Sequence, residues 1–94
     1  MRTRFVYSRQ SEKFLSRNAS SITYERVENG LKLAASKILV AEQNIADITK
    51  MEGEWKGYHR LRLGEFRVVF RLAEGDPVTL FIEEIERRGN TSYA

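Results

Sequence analysis

The spacing of apolar positions along the chain predicts two helices in its first half. In residues 8–18, serines that can cap a helix are followed by the apolar pair Phe14 and Leu15, a pattern typical of a short helix. A longer helix follows that Ser20 or Ser21 would cap, and its end is expected within residues 36–43. The apolar stripe of this second helix keeps the three-to-four spacing of one helical face and comprises Val27, Leu31, Ala34 or Ala35, and Ile38.

In the second half the apolar pattern changes to a period of two, which indicates β-strands. Two alternating runs are separated only by Gly64 and Glu65, a two-residue hairpin loop with glycine first. With a short β-prone run near the start, the element order is β-α-α-β-β-β. This order predicts an α+β fold in which two N-terminal helices pack on one face of a small twisted antiparallel sheet. The strands are expected at residues 4–7, 58–63, 66–72 and 78–85, with residues 44–57 as a connector.

The composition excludes several classes of protein. The 94 residues contain no cysteine and a single histidine, which excludes disulfide scaffolds and zinc sites rich in cysteine or histidine. The length fits a single domain over residues 1–94. Neither a signal peptide nor a transmembrane segment is predicted, so we expect a cytoplasmic protein without membrane contact. The net charge is +3, but residues 1–37 alone carry eight Lys or Arg against three acids, which is +5.

The two-residue loop fixes the pairing register of the hairpin, and this register opposes Arg62 to Arg67. Like charges directly opposed across two strands destabilise a sheet by up to about 1 kcal/mol. An anionic partner removes this conflict, and arginine suits forked contacts to phosphate. The alternative is a solvated charged face whose ion-pair partners are Glu65 and the acids of residues 83–86. We call this surface the arginine face; its predicted members are Tyr58, Arg60, Arg62, Arg67 and Arg71 around Val69, whereas His59, Leu61, Leu63, Phe66, Val68 and Phe70 are predicted to face the helices.

The last predicted strand adds to the arginine face. If Leu80 and Ile82 point to the core, alternation puts four more side chains on the arginine face: Phe81, Glu83, Ile85 and Arg87. Arg88 is expected to converge on the same surface, and a tail with Tyr93 follows. Cations and aromatic rings on one sheet face are the arrangement that holds RNA phosphates while stacking bases.

Three segments carry a resemblance to a known family. Residues 57–70 (GYHRLRLGEFRVVF) resemble the signature hairpin of the RelE/ParE toxins of bacterial and archaeal type II toxin–antitoxin systems. Residues 47–53 (DITKMEG) are similar to the DIKKLKG lead-in of that family, and residues 85–90 (IERRGN) to its I-x-x-RGD-x-Y ending. The order of elements and motifs matches over nearly the whole chain.

The resemblance implies a fold, a partner and an activity. The fold is a small twisted antiparallel sheet with two N-terminal helices, and the partner is a neutralising antitoxin. In the RelE branch the activity is ribosome-dependent cleavage of mRNA in the ribosomal A site. There the 2′-hydroxyl attacks its own adjacent phosphate, without a metal or another cofactor.

The resemblance also implies roles for individual residues. Arg62 and Arg67 are expected at the scissile phosphate, with Arg60 and Arg87 at flanking phosphates or the leaving group. Tyr93 matches a C-terminal tyrosine that stacks on the substrate base. The expected catalytic residues are therefore Arg62, Arg67, Arg87 and Tyr93. The expected RNA-binding residues are Arg60 and, from their predicted places on the arginine face, Arg71 and Arg88. The proton acceptor stays open between Tyr93, Glu83 and Glu86, and His59 is expected to be a packed, hydrogen-bonded residue.

Two further functions stay open from the sequence. A ParE-like protein on the same scaffold inhibits DNA gyrase without catalysis; the lack of an obvious His or Glu base favours it, whereas the full set of arginines favours the nuclease. A third candidate is an inert member that only sequesters antitoxin. All three predict an antitoxin that lays a helix or an added strand over the arginine face and the apolar surface, where Val69, Phe81 and Ile85 are expected to be exposed.

Overall fold

A computed structural model describes residues 1–40 and 47–88 and contains two α-helices. Helix α1 spans Arg9–Arg17 and α2 spans Tyr24–Leu39. Ser8 caps α1, and Thr23 caps α2, since each side-chain oxygen accepts a hydrogen bond from a backbone N–H of the first turn. Within the described ranges, neither helix has the length and apolar character needed to cross a bilayer.

The cap of α2 lies further along the chain than predicted. The backbone N–H groups of Ser21 and Ile22 both donate to the carbonyl of Asn18, which closes a turn directly after α1. Ile22 is buried and anchors this turn in the core. The prediction of a cap at Ser20 or Ser21 is therefore wrong, because those residues belong to the connection between the helices.

Five strands form one mixed sheet in the order β1-β5-β4-β3-β2. The predicted α+β fold with two helices on a small sheet is confirmed. The sheet is mixed and not wholly antiparallel as predicted, because β1 runs parallel to β5 while the other neighbours are antiparallel. β2 is a three-residue strand within the predicted connector, and a short 3₁₀ turn, Gly53–Trp55, follows it. The strands are β1 Thr3–Tyr7, β2 Ile48–Lys50, β3 His59–Leu63, β4 Phe66–Ala73 and β5 Val78–Arg87.

The core lies between the helices and one face of the sheet. Phe66 and Phe70 of β4 are fully buried, and the ring of Phe14 from α1 packs edge-on against Phe66 at 5.9 Å between centroids. Val27 and Leu31 of α2 are also fully buried, which confirms the predicted apolar stripe. With its helix-facing side chains packed in this core, the hairpin presents the alternate side chains on its opposite face.

A β-bulge in β5 decides which of its residues reach the arginine face. Glu83 is an extra residue in β5, since no residue of β4 pairs with it. The extra residue reverses the alternation beyond it, so that Ile85 and Arg87 turn to the helix side while Glu84 and Glu86 turn to the arginine face. The prediction that placed Ile85 and Arg87 on the arginine face is therefore wrong.

The N-terminus of α1 holds the bulge in place. The side-chain amide of Gln10 donates to the carbonyl of Ile85 and accepts from its N–H, each at 3.0 Å. The hydroxyl of Ser8 donates to the carbonyl of Glu83 at 2.6 Å. These bonds satisfy backbone groups at the irregular part of β5, so α1 supports the reversed alternation.

Candidate functional site

The arginine face carries a cleft of about 250 Å³ in which four arginines converge. The cleft is built from β2 and the residue before it, from the β3–β4 hairpin and from the residue that follows β5. Its lining is polar and strongly basic, as a site for a phosphate-bearing ligand requires. The lining residues are Asp47, Thr49, Arg60, Arg62, Arg67 and Arg88.

The hairpin places its arginines through the predicted register. Arg62 pairs with Arg67 as predicted, and the same register extends from Leu63–Phe66 to His59–Phe70. Gly64 occupies the first loop position at a φ of +63°, a conformation in which glycine has no steric penalty, so the two-residue loop closes there. The short loop and the buried helix side of the hairpin together hold Arg62 and Arg67 on one face.

Arg88 enters the cleft as predicted, whereas Arg87 does not. The Arg88 guanidinium donates to the carbonyl of Gly64 at 3.1 Å, which holds it against the hairpin loop. Arg87 lies on the helix side, with its guanidinium carbon 4.9 Å from the centre of the Phe66 ring and an ion pair to Glu65. Consecutive residues of an extended strand point to opposite faces, and the bulge decides which of these two reaches the cleft.

Positive charge exceeds negative charge in the cleft. Among residues 1–40 and 47–88, Glu86 is the acidic residue whose carboxylate lies within 4.0 Å of a cleft arginine. Its carboxylate is 3.8 Å from the guanidinium of Arg67. Asp47 is the acidic residue among the lining residues. Four guanidinium groups around two carboxylates repel one another, and a bound anion would relieve the repulsion.

The same architecture occurs in solved structures of bacterial toxins. Escherichia coli BL21(DE3) YafQ superimposes with a TM-score of 0.56 at 16% identity, covering 96% of this chain and 97% of that chain. A YoeB/ParE toxin from Agrobacterium tumefaciens gives 0.56 at 18% identity, covering 94% of this chain and 99% of that chain. The chain has the fold of the RelE/ParE toxins.

Structures with the RelE/ParE fold also include complexes with a partner protein. In the E. coli DinJ–YafQ toxin–antitoxin complex the TM-score is 0.57 at 15% identity, and both chains are covered completely. No protein-family profile matches this chain, and no curated protein sequence does either. At these identities the likeness establishes the fold, and functional roles must be argued from the residues.

Two other predicted site residues lie away from the cleft or outside the described ranges. Arg71 is on the arginine face, but its guanidinium carbon lies 4.2 Å from the centre of the Phe81 ring and it does not line the cleft. Tyr93 lies outside the described residues. The cleft of this RelE/ParE fold is thus formed by Arg60, Arg62, Arg67 and Arg88 among the predicted residues.

His59 lies on the helix side of the sheet, as predicted, and its ring stacks on Phe70 at 5.7 Å between centroids. Its Nδ1 is buried and has no hydrogen-bond partner in the part of the chain that the structure describes, so the predicted hydrogen bond is not found there. Burial lowers the pKa of His59 below its ordinary value of 6.5, and the positive charge of Lys50 lowers it further. The single histidine therefore does not serve the cleft.

Sequence reasoning missed Asp47 and Thr49, which line the cleft from the edge of the sheet. Thr49 pairs with Arg60 in β2–β3, and the carbonyl of Asp47 accepts a hydrogen bond from the N–H of Arg62 at 2.8 Å. The available signal was the resemblance of residues 47–53 to the family lead-in, directly before the hairpin. β2 has only three residues, too few for a period of two to be recognised.

Proposed function

We propose that this chain is the toxin of a type II toxin–antitoxin pair and that it cleaves mRNA at the ribosome. The observation that carries the proposal is the convergence of four arginines on one cleft of a RelE/ParE fold. Arg62 and Arg67 face each other directly, an arrangement that costs stability unless an anion is bound between them. A polynucleotide phosphate is an anion that a forked guanidinium contacts through two parallel hydrogen bonds.

The arginines take separate roles in the proposed reaction. Arg62 and Arg67 contact the scissile phosphate, where negative charge increases as the pentacovalent transition state forms. Arg60 and Arg88 lie in the same cleft and contact the flanking phosphates or the leaving oxygen. Arg88 takes the role that the sequence analysis assigned to Arg87, because the side chain of Arg87 is directed to the helix side of the sheet.

The proposed chemistry is an internal phosphoryl transfer within the RNA. The 2′-oxygen forms a bond to the adjacent phosphorus while the bond from phosphorus to the 5′-oxygen breaks, which leaves a 2′,3′-cyclic phosphate and a 5′-hydroxyl. We assign the proton of the 2′-hydroxyl to Asp47, since Asp47 is the acidic residue that lines the cleft with the arginines. The leaving oxygen is stabilised by guanidinium donors and takes its proton from solvent.

We further propose a cognate antitoxin as the partner of this chain, as DinJ is of YafQ in the solved complex. Val69 and Ile85, which were expected to be exposed, are buried at 3% and 0% exposure, so they do not form the apolar contact surface. Leu33 and Val40 are 59% and 67% exposed and lie seven residues apart near one face of α2. An antitoxin that covers these two side chains would bury apolar surface that is otherwise left in water.

A gyrase inhibitor of the same fold is the second candidate, and the position of His59 favours it. The single histidine lies on the helix side of the sheet and is not available for acid–base catalysis in the cleft. A surface of arginines can bind a protein or DNA without any chemistry. This candidate predicts an effect on DNA supercoiling and no cleavage of RNA.

The experiment that tests the proposal adds the purified chain to ribosomes translating a defined mRNA and maps the 5′ ends that result. We expect discrete cuts within the translated region and 5′-hydroxyl ends, both absent when Arg67→Ala replaces the native chain. A parallel reaction contains gyrase and relaxed plasmid. Intact mRNA together with inhibited supercoiling would overturn the nuclease and support the second candidate.

A further inference from the structure

A second group of arginines lies at the end of the sheet, on the side opposite the cleft. The fully buried ring of Phe66 has the guanidinium carbon of Arg87 4.9 Å and that of Arg26 5.9 Å from its centre. Arg87 also pairs with Glu65 and donates to the side-chain oxygen of Asn18 at 3.2 Å. We call these five residues, Asn18, Arg26, Glu65, Phe66 and Arg87, the turn-end cluster.

The turn-end cluster continues the positive surface of the cleft around the hairpin loop. Arg26 contacts Gly64 from the helix side, since a methyl group added at Gly64 would lie only 2.5 Å from Nη2 of Arg26. Arg88 contacts the same residue from the cleft side, with its guanidinium donating to the Gly64 carbonyl at 3.1 Å. Guanidinium groups from the two surfaces therefore meet at one glycine.

The few contacts of the Arg26 side chain do not explain why a positive charge lies at this position. Its side chain forms no hydrogen bond or ion pair within residues 1–40 and 47–88, and its distance from the Phe66 ring is near the outer limit of a cation–π contact. Arg26 nevertheless shares the Phe66 ring with the cationic Arg87, whose carboxylate partner among the described residues is Glu65. The charge of Arg26 belongs to the basic stretch of residues 1–37, which contributes no residue to the lining of the cleft.

We infer that the turn-end cluster binds a further phosphate of the RNA strand that occupies the cleft. The inference rests on the proposed function, because it extends the same strand past the hairpin loop. A single strand that leaves the cleft beside Arg88 meets Arg26 and Arg87 next, so its backbone stays in contact with guanidinium donors. The large exposed apolar side chains of the described residues, which are Met1, Tyr24, Leu33 and Val40, are absent from the cluster, and this favours a nucleic acid over a protein at this position.

The test measures binding of 2′-O-methyl RNA, which lacks the attacking hydroxyl and is not cleaved. One labelled oligonucleotide of about four nucleotides fills the cleft alone, and another of about twelve extends beyond it. Arg26→Gln should weaken binding of the long oligonucleotide about fivefold at low salt and reduce its logarithmic salt slope by about 0.7, while binding of the short one is unchanged. Arg26→Lys should restore most of the affinity, because the charge is kept.

The matched control is Lys32→Gln, which removes one positive charge from an exposed position of the same helix. If Arg26→Gln and Lys32→Gln affect the long oligonucleotide equally, the turn-end site is overturned. The variant Arg62→Ala separates this result from a failure of the proposed function, since it should weaken the binding of both the short and the long oligonucleotide. If Arg62→Ala changes neither affinity, the cleft does not bind RNA, and both the proposed function and the turn-end site are overturned.

Discussion

Arg62 lies directly opposite Arg67 across the β3–β4 hairpin, and both guanidinium groups line the same cleft. Glu86 pairs with Arg67 at 3.8 Å, whereas Arg62 has no ion-pair partner within the described parts of the chain. The hairpin therefore holds two positive charges together, and the carboxylate of Glu86 neutralises them only in part. We interpret this conflict as a requirement of phosphate binding, in which local stability is given up for a preorganised pair of donors.

Removing either arginine should abolish toxicity without unfolding the chain. Arg62→Ala and Arg67→Ala each remove a donor to the charge that develops in the transition state, and we expect cleavage to fall by about 10²- to 10³-fold. Growth of cells after induction, together with cleavage on isolated ribosomes, measures the effect. Circular dichroism and antitoxin binding should match those of the native chain.

The matched control for these variants is Arg71→Ala. Arg71 lies on β4 and on the same face, but it contacts Phe81 and does not line the cleft. Its loss should change cleavage less than threefold, in keeping with a modest effect of an exposed charge. Equal losses for Arg67→Ala and Arg71→Ala would contradict the assignment of the cleft as the phosphate site.

The like-charge conflict also predicts a variant that is more stable and less active. Arg62→Thr removes the repulsion with Arg67 and places a β-branched residue in the strand, so the free energy of unfolding should rise by a few tenths to about 1 kcal/mol. Urea unfolding at low and high salt measures this, and the gain should shrink at high salt because salt screens the repulsion of the native pair. A loss of stability at low salt would show that the pair is not in conflict.

Asp47 should act on the chemical step and not on binding. Asp47→Asn removes the proton acceptor, and we expect the cleavage rate to fall by about 10²- to 10⁴-fold while affinity for uncleavable RNA is kept or improved. Glu84→Gln is the control, because Glu84 lies on the same face of the sheet, opposite Val69, and is not among the lining residues. Single-turnover cleavage separates rate from affinity, and an unchanged rate in Asp47→Asn would exclude the carboxylate from proton transfer.

Gln10 should contribute to stability through the bulge of β5. Gln10→Ala removes two hydrogen bonds to the backbone of Ile85, and the free energy of unfolding should fall by about 1–2 kcal/mol. Lys13→Ala, at an exposed position of the same helix, should change it by less than about 0.5 kcal/mol. Denaturant unfolding of the three proteins decides the point, and equal midpoints would mean that the bulge is held by other contacts.

His59 should make stability depend on pH near neutrality. Burial and Lys50 lower its pKa in the folded chain, so the unfolded chain binds more protons as the pH falls below about 6.5. Neutral His59 thus contributes to the free energy of unfolding. This contribution is fully present above the unfolded-state pKa of His59, and it is lost as the pH falls through its folded-state pKa. Because the chain has one histidine, its imidazole signals in an NMR titration report this pKa directly.

His59→Gln should flatten the pH dependence of stability between about pH 7 and pH 5. Lys50→Gln should raise the pKa of His59 part of the way towards its ordinary value, since Lys50 lies directly opposite His59 in β2–β3. A slope that survives in His59→Gln would assign the effect to other groups.

The hairpin was predictable from the sequence because a two-residue loop leaves one register. Every pair from Leu63–Phe66 to His59–Phe70 follows from the position of Gly64 and from strict alternation. The helices were predictable from their apolar spacing, although the cap of α2 moved to Thr23 because of the buried Ile22 turn. Local chemistry with a fixed period thus determined most of the fold.

The remaining errors arise where contacts distant in the sequence decide the geometry. Glu83 forms a bulge that α1 stabilises from about 75 residues away, and nothing in the alternation of β5 marks it. One extra residue was enough to exchange Arg87 for Arg88 in the cleft. Asp47 was missed for a similar reason, since a three-residue edge strand is specified by its pairing with β3 and not by its own pattern.

The most direct test of the central claim is induction of the chain without its antitoxin, followed within minutes by mapping of transcript ends. We predict new 5′-hydroxyl ends at discrete positions inside translated regions. These ends should disappear when translation is blocked beforehand and when Arg67→Ala is induced at the same level. Growth arrest with intact transcripts and a DNA-damage response would contradict the nuclease and identify the arginine cleft as a binding surface for another target.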